Sequence, residues 1–242
     1  MQKITLKTIK EDSDFRTLIE SANECLKTIG YTEHGLRHVG YVSATTANIL
    51  RELGYDERTV ELGAITGWIH DIGNAVNRKN HGITGATLAF ELLNKKQADM
   101  KEICTIVSAI GNHEEESGIP VSPVSAALII ADKSDAHRSR VHYHKYNPED
   151  IHDRVNMSIK KNALVVDEDK RVIRLVITMD ETSAPIEYLQ IYMSRMLLSE
   201  KAAAFLGCSF ELVINGLLIN RHTLPTESEL SSTEKQVSSD EI

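Results

Sequence analysis

Gly67-Trp68-Ile69-His70-Asp71-Ile72-Gly73-Asn74 sets a histidine beside an aspartate, behind an apolar run and ahead of a glycine. Both side chains are ligand types for a hard or borderline divalent metal, and neither is cheap to bury alone. On a helix, adjacent residues point about 100° apart. The pair can therefore serve one ion, or the carboxylate can bridge toward a second. Alone, a His-Asp dipeptide also fits a capped helix end, so its meaning depends on what surrounds it.

The surroundings read as helical. A helix from about Asp56 to Ile72 buries Val60, Ala64, Ile65, Trp68 and Ile69, and delivers His70 and Asp71 at its end. Before it, Asp14 to Ile29 carries Phe15, Leu18, Ile19, Ala22 and Leu26 at helical spacing and stops at Gly30. Thr32 then caps a helix running to about Leu53. Its inner stripe is Val39, Val42, Thr46, Ile49 and Leu53, with His38 abutting it and Gly54 ending it. Residues 73–81 read as a polar loop. Further helices follow over Ile83 to Lys95, with Ala86, Ala89, Phe90 and Leu93 inward, and over Lys101 to Gly111, with His113 just past the end. Ser122-Pro123 is a helix-start signature. It opens a stripe of Val124, Ala127, Leu128 and Ala131, followed by Asp132.

After about Pro148 the periodicity changes. A short helix to Lys161 is followed by a hairpin: Leu164-Val165-Val166, the acidic turn Asp167-Glu168-Asp169, then Val172 to Met179. A helix from Pro185 to Leu206 and an apolar strand from Phe210 to Ile219 complete a β-β-α-β unit. The expected fold class is mainly α, a helical bundle followed by a small α+β C-terminal unit. The expected divisions are a helical metal-binding domain over 1–147, the α+β subdomain over 148–223, and a disordered Ser/Thr/Glu-rich tail over 224–242.

Composition narrows the class of function. At 242 residues there is room for one large domain or a domain with an appendage. A net charge of −8 argues against general nucleic-acid binding, though not against a small phosphorylated substrate. There is no run of about 20 apolar residues and no signal-peptide pattern, which points to a cytoplasmic protein outside the membrane. Cys25, Cys104 and Cys208 lack paired spacing and are expected to be reduced core thiols.

Polar ligand types recur at the ends or inner faces of the apolar helices: His38, His70, Asp71, His81, His113 and Asp132. Asp132 is the sharpest, because an ionised carboxylate beside Leu128 and Ala131 needs a cation or strong donors. His113 also fits a residue that merely follows a helix end, His81 in a polar loop also fits a solvent-exposed residue, and His38 also fits a satisfied core histidine. Helices packed as a bundle can bring such ligands to one centre. Four neutral imidazoles and two carboxylates suit Fe, Mn, Co or Zn, with Mg less favoured.

The order His38 … His70-Asp71 … Asp132, with His70-Asp71-Ile72-Gly73, resembles the HD-domain superfamily of metal-dependent phosphohydrolases in its HDIG form, over about Tyr31 to Arg140. His81 and His113 match the further histidines of members that hold two metals, and Ile130 to Asp135 looks like the family's last ligand helix. The resemblance implies a helical bundle with two divalent metals per chain, Fe or Mn favoured and Co, Zn, Ni or Mg possible. His38, His70, Asp71 and Asp132 would hold the first, Asp71 would bridge, and His81 and His113 would complete the second. His70 and Asp71 would then lie at the catalytic centre, where a water of lowered pKa attacks phosphorus in line. The implied activity is a phosphomonoesterase, phosphodiesterase or nucleotide pyrophosphohydrolase acting on a small substrate, a nucleotide first.

Arg37, Lys133 and Arg138 are the cations nearest the ligands in sequence and are candidate phosphate contacts, with solvated surface cations as the alternative. His34, one turn before His38, is a further candidate for the substrate side. Two branches of the family fit less well. The cyclic-di-GMP phosphodiesterases usually have lysine where this chain has Asn74, and they carry a Gly-Tyr-Pro element that is not found here. The diadenosine-tetraphosphate hydrolases have a similar six-ligand set but are typically shorter. The β-β-α-β unit lies outside the resemblance; it reads first as structural, with a substrate lid or a homodimer interface as alternatives. The competing functions are a di-iron oxygenase on the same ligands and a regulatory module that binds a nucleotide without cleaving it.

Overall fold

The structure is a computed structural model that describes residues 3–141 and 146–220. The expected tail over 224–242 lies outside the described residues.

Its elements follow the apolar stripes closely. Helix α1 (Leu6–Lys10) occupies what reads as a polar start; Thr5 and Thr8 form a capping box, and Ile4 and Ile9 are buried. Next come α2 (Ser13–Thr28), capped by Asp12, and α3 (Leu36–Glu52). The cap of α3 is Gly35, not Thr32. The carboxylate of Glu33 takes the Gly35 amide at 2.7 Å and Asn23 Oδ1 takes the His34 amide at 3.0 Å, so the chain is held in a turn before the helix begins. Helix α4 (Glu57–Ile69) stops before the His-Asp pair, with His70 as its cap and a 3-10 turn over Ile72–Ala75. Helix α5 (His81–Lys95) begins two residues earlier than the sequence suggests, so His81 is its first residue and not part of a loop. Helices α6 (Met100–Gly111) and α7 (Pro123–Ser134) follow, then a 3-10 turn at Arg138–Arg140.

In the C-terminal part, α8 (Ile151–Ser158) passes directly into β1 (Ile159–Asp167), so the residues expected to end a helix at Lys161 are already strand. Strand β2 (Val172–Met179) pairs antiparallel with β1, α9 (Pro185–Phe205) crosses over, and β3 (Ser209–Ile214) pairs parallel with β2. The expected single strand to Ile219 is broken by Asn215-Gly216, both at positive φ (50° and 81°). These two residues turn the chain back into β4 (Leu217–Leu218), antiparallel to β3; an Asn-Gly pair is a strong signal for this turn. The sheet order is β1-β2-β3-β4. The expected architecture, mainly α with a small C-terminal β unit, is the one observed.

Two apolar clusters hold the chain together. One joins α1, α2, α5 and α6 to Leu62, Ile65 and Ile69 of α4. The other runs from α3 and α4 through α7 into α8, α9 and the inner face of the sheet, so bundle and sheet share one core. Helix α7 is the centre of that core, and every residue from Val124 to Ala131 is buried. Phe90, expected inward, is exposed on α5, because the buried stripe there runs through Gly82, Gly85, Ala89 and Leu93. Cys25 and Cys104, expected in the core, are exposed on the outer sides of their helices, and only Cys208 is buried. Among the described residues, no helix is long and apolar enough to cross a membrane.

Two glycines allow the close approaches that bring the His-Asp segment into the bundle. A Cβ on Gly67 would lie 2.8 Å from the backbone of Ser43, so α4 seats against α3 only where it has no side chain. At Gly73 a Cβ would lie 2.0 Å from the carbonyl oxygen of His81 and 2.5 Å from the amide of Gly85. Both obstacles are backbone and cannot rotate away. Gly73→Ala is therefore expected to cost about 1–3 kcal/mol or more, read as a lowered thermal midpoint, and to disturb the placement of Asp71 and His81. An unchanged midpoint would show that the turn relaxes freely.

Candidate metal centre

Six side chains from five separate places meet at one point. His38 comes from the first turns of α3, His70 from the end of α4 and Asp71 from the residue after it. His81 opens α5, His113 follows α6, and Asp132 lies near the end of α7. His38, His70 and His113 have no exposed surface, and Asp71 and His81 are also buried.

Asp71 organises the cluster by dividing its two oxygens. Oδ2 lies 3.6 Å from Nε2 of both His38 and His70. Oδ1 lies 3.4 Å from His81 Nε2 and 3.7 Å from His113 Nε2. Asp132 joins the first pair, its Oδ1 standing 3.5 Å from His38 Nε2 and 3.7 Å from His70 Nε2. The two imidazoles on the other side stand 3.2 Å apart, Nε2 to Nε2.

The outer nitrogens of the four rings fix which nitrogen faces inward. His70 Nδ1 lies 2.9 Å from the Gly67 carbonyl, and His113 Nδ1 lies 2.6 Å from the Ile110 carbonyl. A carbonyl can only accept, so each Nδ1 carries the proton and, in the neutral ring, Nε2 presents a lone pair. His38 Nδ1 donates to Asp135 Oδ2 at 2.6 Å, and His81 Nδ1 is shared between Glu114 Oε1 at 2.6 Å and the Arg78 carbonyl at 3.0 Å. All four rings thus aim Nε2 at Asp71. Nε2 of His38 and of His70 are buried and have no hydrogen-bond partner. Buried nitrogen lone pairs without donors are costly unless a cation or donor fills the space between them. The residues present fit a metal: His38–His70–Asp71, His70–His113–Asp132 and Asp71–His81–His113 are each close enough to ligate one ion. The groups overlap at His70, Asp71 and His113, the pattern expected where a carboxylate lies between two ions.

The electrostatics agree. Burial alone would raise the pKa of Asp71, yet the surrounding rings of His70, His113 and His81 hold it well below the usual carboxylate value. Burial would also raise Asp132, but Lys133, His38 and His70 hold it well below normal. Two carboxylates therefore stay ionised in a buried space, a concentration of negative charge suited to a divalent cation.

The other residues singled out in the sequence are engaged as follows. Arg37 forks onto both oxygens of Asp135 at 3.2 and 2.6 Å and pairs with Glu33 at 2.8 Å. Arg138 reaches Asp180 at 2.9 Å, beside β2. His34 is buried, its Nδ1 2.6 Å from the Thr32 carbonyl and its Nε2 accepting from Arg140 at 2.9 Å. Burial and Arg140 push its pKa well below normal, so it is a neutral strut between the two. Of the four, Lys133 stands at the cluster itself, its ammonium 2.6 Å from Asp132 Oδ2.

Several residues of the site had no role in the sequence reading. Asp135, which orients His38, lies one turn beyond Asp132, and that spacing on a buried helix was the available signal. Glu114, which orients His81 and takes the Gly82 amide at 3.0 Å, follows His113 directly in a run of three glutamates and carries no such signal. Asn74 donates to Asp71 Oδ1 at 2.9 Å, and the Arg78 guanidinium lies 3.3 Å from His81 Nε2. No protein-family model matches the chain, and no curated protein matches it.

Asp135→Asn keeps the volume but removes the carboxylate that orients His38. It is expected to weaken metal affinity about 10–100-fold, measured by metal titration, and unchanged affinity would make Asp135 a purely structural ion-pair partner. A pH effect follows from His113, which burial pushes down from 6.5 to about 4. Unfolded, this histidine takes up a proton near 6.5; folded, it resists until about 4. Its stabilisation is therefore present above 6.5 and is lost as the pH falls toward 4. His34 acts in the same sense. His38 opposes them: burial would lower its pKa, but Asp132 and Asp135 raise it. The metal-free protein is expected to lose denaturant stability across pH 6.5 to 4, and a flat profile in that window would contradict the neutral state of these rings.

Proposed function

We propose that the protein is a metal-dependent phosphohydrolase of the HD type. It holds two divalent ions, Fe or Mn favoured, and cleaves a phosphate ester or anhydride of a small molecule, a nucleotide in the first instance. The reading rests on one observation above all: Asp71 stands between two groups of inward-facing imidazole lone pairs, one oxygen toward each. The bound metals would supply Lewis acidity and lower the pKa of water. The chain's own residues do the rest. His38, His70, Asp71 and Asp132 hold one ion, and Asp71, His81 and His113 the other. Asp135, Gly67, Ile110 and Glu114 fix the ring orientations so that the ligands need no rearrangement. Asn74 steadies Asp71 from outside the ligand set. The Lys133 ammonium beside Asp132 supplies positive charge where a phosphoryl oxygen would need it, which favours an anionic substrate over the oxygenase alternative.

Asp71→Ala removes the shared carboxylate and is expected to abolish binding of both ions and at least ~10³-fold of activity, with helicity largely retained. Elemental analysis of the purified protein is the first measurement: about two metals per chain is expected, with none in the variant. A panel of phosphomonoesters, phosphodiesters and nucleotides, run with and without oxygen, then reads the reaction. Oxygen-dependent turnover with no phosphate or nucleotide release would overturn the hydrolase reading.

A further inference from the structure

The C-terminal unit brings a second cation to the edge of the cluster. Arg195 lies on α9, which packs against α7, the helix that carries Asp132 and Lys133. Two contacts hold it. Its Nε donates to Glu115 Oε2 at 3.1 Å, two residues beyond His113. Its guanidinium stacks over the Tyr192 ring at 4.8 Å, and that ring is itself fixed by a 3.1 Å hydrogen bond from its hydroxyl to Asn156. The other oxygen of Glu115 accepts from Ser194, so the carboxylate cannot swing to take the guanidinium side-on.

The result differs from most of the fold's arginine pairs, though the exposed Arg16–Glu20 pair is also made through Nε. Arg37, Arg58, Arg154 and Arg174 each present a terminal guanidinium nitrogen to a carboxylate. Arg195 uses only Nε, and among the described residues its two terminal nitrogens have no hydrogen-bond partner. It is nevertheless half-buried, and it feels the carboxylate of Asp132 as well as that of Glu115. Lys133 is the second cation of this edge, its ammonium 2.6 Å from Asp132 Oδ2, and it helps to hold the carboxyls of Asp132 and Glu115 below their usual values. A metal ion drawing on Asp132 would leave the Lys133 ammonium of α7 without its counter-charge, while α9, packed against α7, carries an arginine fork with open donors.

We propose that Arg195 and Lys133 form an anion subsite at the edge of the His/Asp centre, and that it receives a phosphoryl group of the substrate. Glu115, Ser194 and Tyr192 position Arg195 for this. The inference rests on the phosphohydrolase reading and makes the C-terminal unit a supplier of substrate contacts. An arginine fork matches phosphate geometry with two parallel donors, which a lysine cannot reproduce.

The test uses the full chain and inorganic phosphate as the probe, by calorimetric titration with and without manganese, with manganese content measured in parallel. Arg195→Gln is expected to weaken phosphate binding about tenfold or more while leaving manganese content unchanged. Arg195→Lys, which keeps the charge and the stem on Tyr192, is expected to lose less, and it carries the test if the glutamine variant does not fold. Phosphate binding equal to wild type in both variants, or no phosphate binding by the wild type at millimolar concentration, would overturn the subsite. Absence of manganese from every protein would count against the metal reading alone, because the metal-free titrations still decide the role of Arg195.

Discussion

Keeping Asp71 ionised with almost no water around it is the constraint on which the rest of the structure depends. Removing a carboxylate from water costs on the order of several kcal/mol unless cations or donors replace the water. The Asn74 amide donates to this one, and four imidazole nitrogens face it with lone pairs, so that a cation suits the space between them. Placing them there requires α3, α4, α5 and α6 to arrive from different directions with their ends at one point. Gly67 and Gly73 exist in this arrangement because a single methyl group would hold α4 off α3, or the His-Asp turn off α5. The centre therefore sets the packing of the bundle as much as the bundle sets the centre.

A second layer keeps the first from collapsing. Each imidazole could satisfy Asp71 by donating to it, which would neutralise the site and leave nothing for an ion. Carbonyls and carboxylates behind the rings prevent this by holding the proton on Nδ1. Asp135 carries the most, since it faces His38, Arg37 and Arg140 together. Its own charge is offset by the two guanidiniums, so His38 is oriented without adding a third uncompensated carboxylate to the core.

How far the sequence revealed this follows from which physical signals are local. The stripes of α2, α3, α4, α6 and α7 are periodic and apolar, and each appears close to where the residues place it. Asp132 was conspicuous because a carboxylate after Leu128 and Ala131 has no good solvent-facing explanation. The failures are at ends and on ambiguous faces. Apolar spacing carries α4 through to Ile72, whereas the chain turns at His70, where Gly73 passes against His81. Thr32 has the chemistry of a cap but loses to Glu33 and Asn23, whose contacts come from the loop and from α2. Phe90, Cys25 and Cys104 are apolar residues on amphipathic helices, and sequence periodicity alone put them inside. Glu114 is one of three consecutive glutamates, and only the fold picks it out.

The C-terminal unit illustrates the same limit. Its strands and crossover helix were legible from alternation and length, but nothing in the sequence ties them to the histidines. The connection runs through α7. The last carbonyls of a helix lack partners within it, and here Asn162 of β1 donates its side-chain amide to the carbonyl of Ser134, which ends α7, and, at 3.0 Å, to that of Ala136 just beyond it. Those carbonyls flank Asp135. The sheet thereby anchors the turn that carries Asp135, Asp135 holds the His38 ring, and His38 presents its lone pair beside Asp71. With Arg138 paired to Asp180 across the same junction and the apolar core continuous from α3 to β3, the unit is part of the frame that sets ligand geometry. A sheet built only to cover the bundle would need the shared core but not Asn162 at that one helix end.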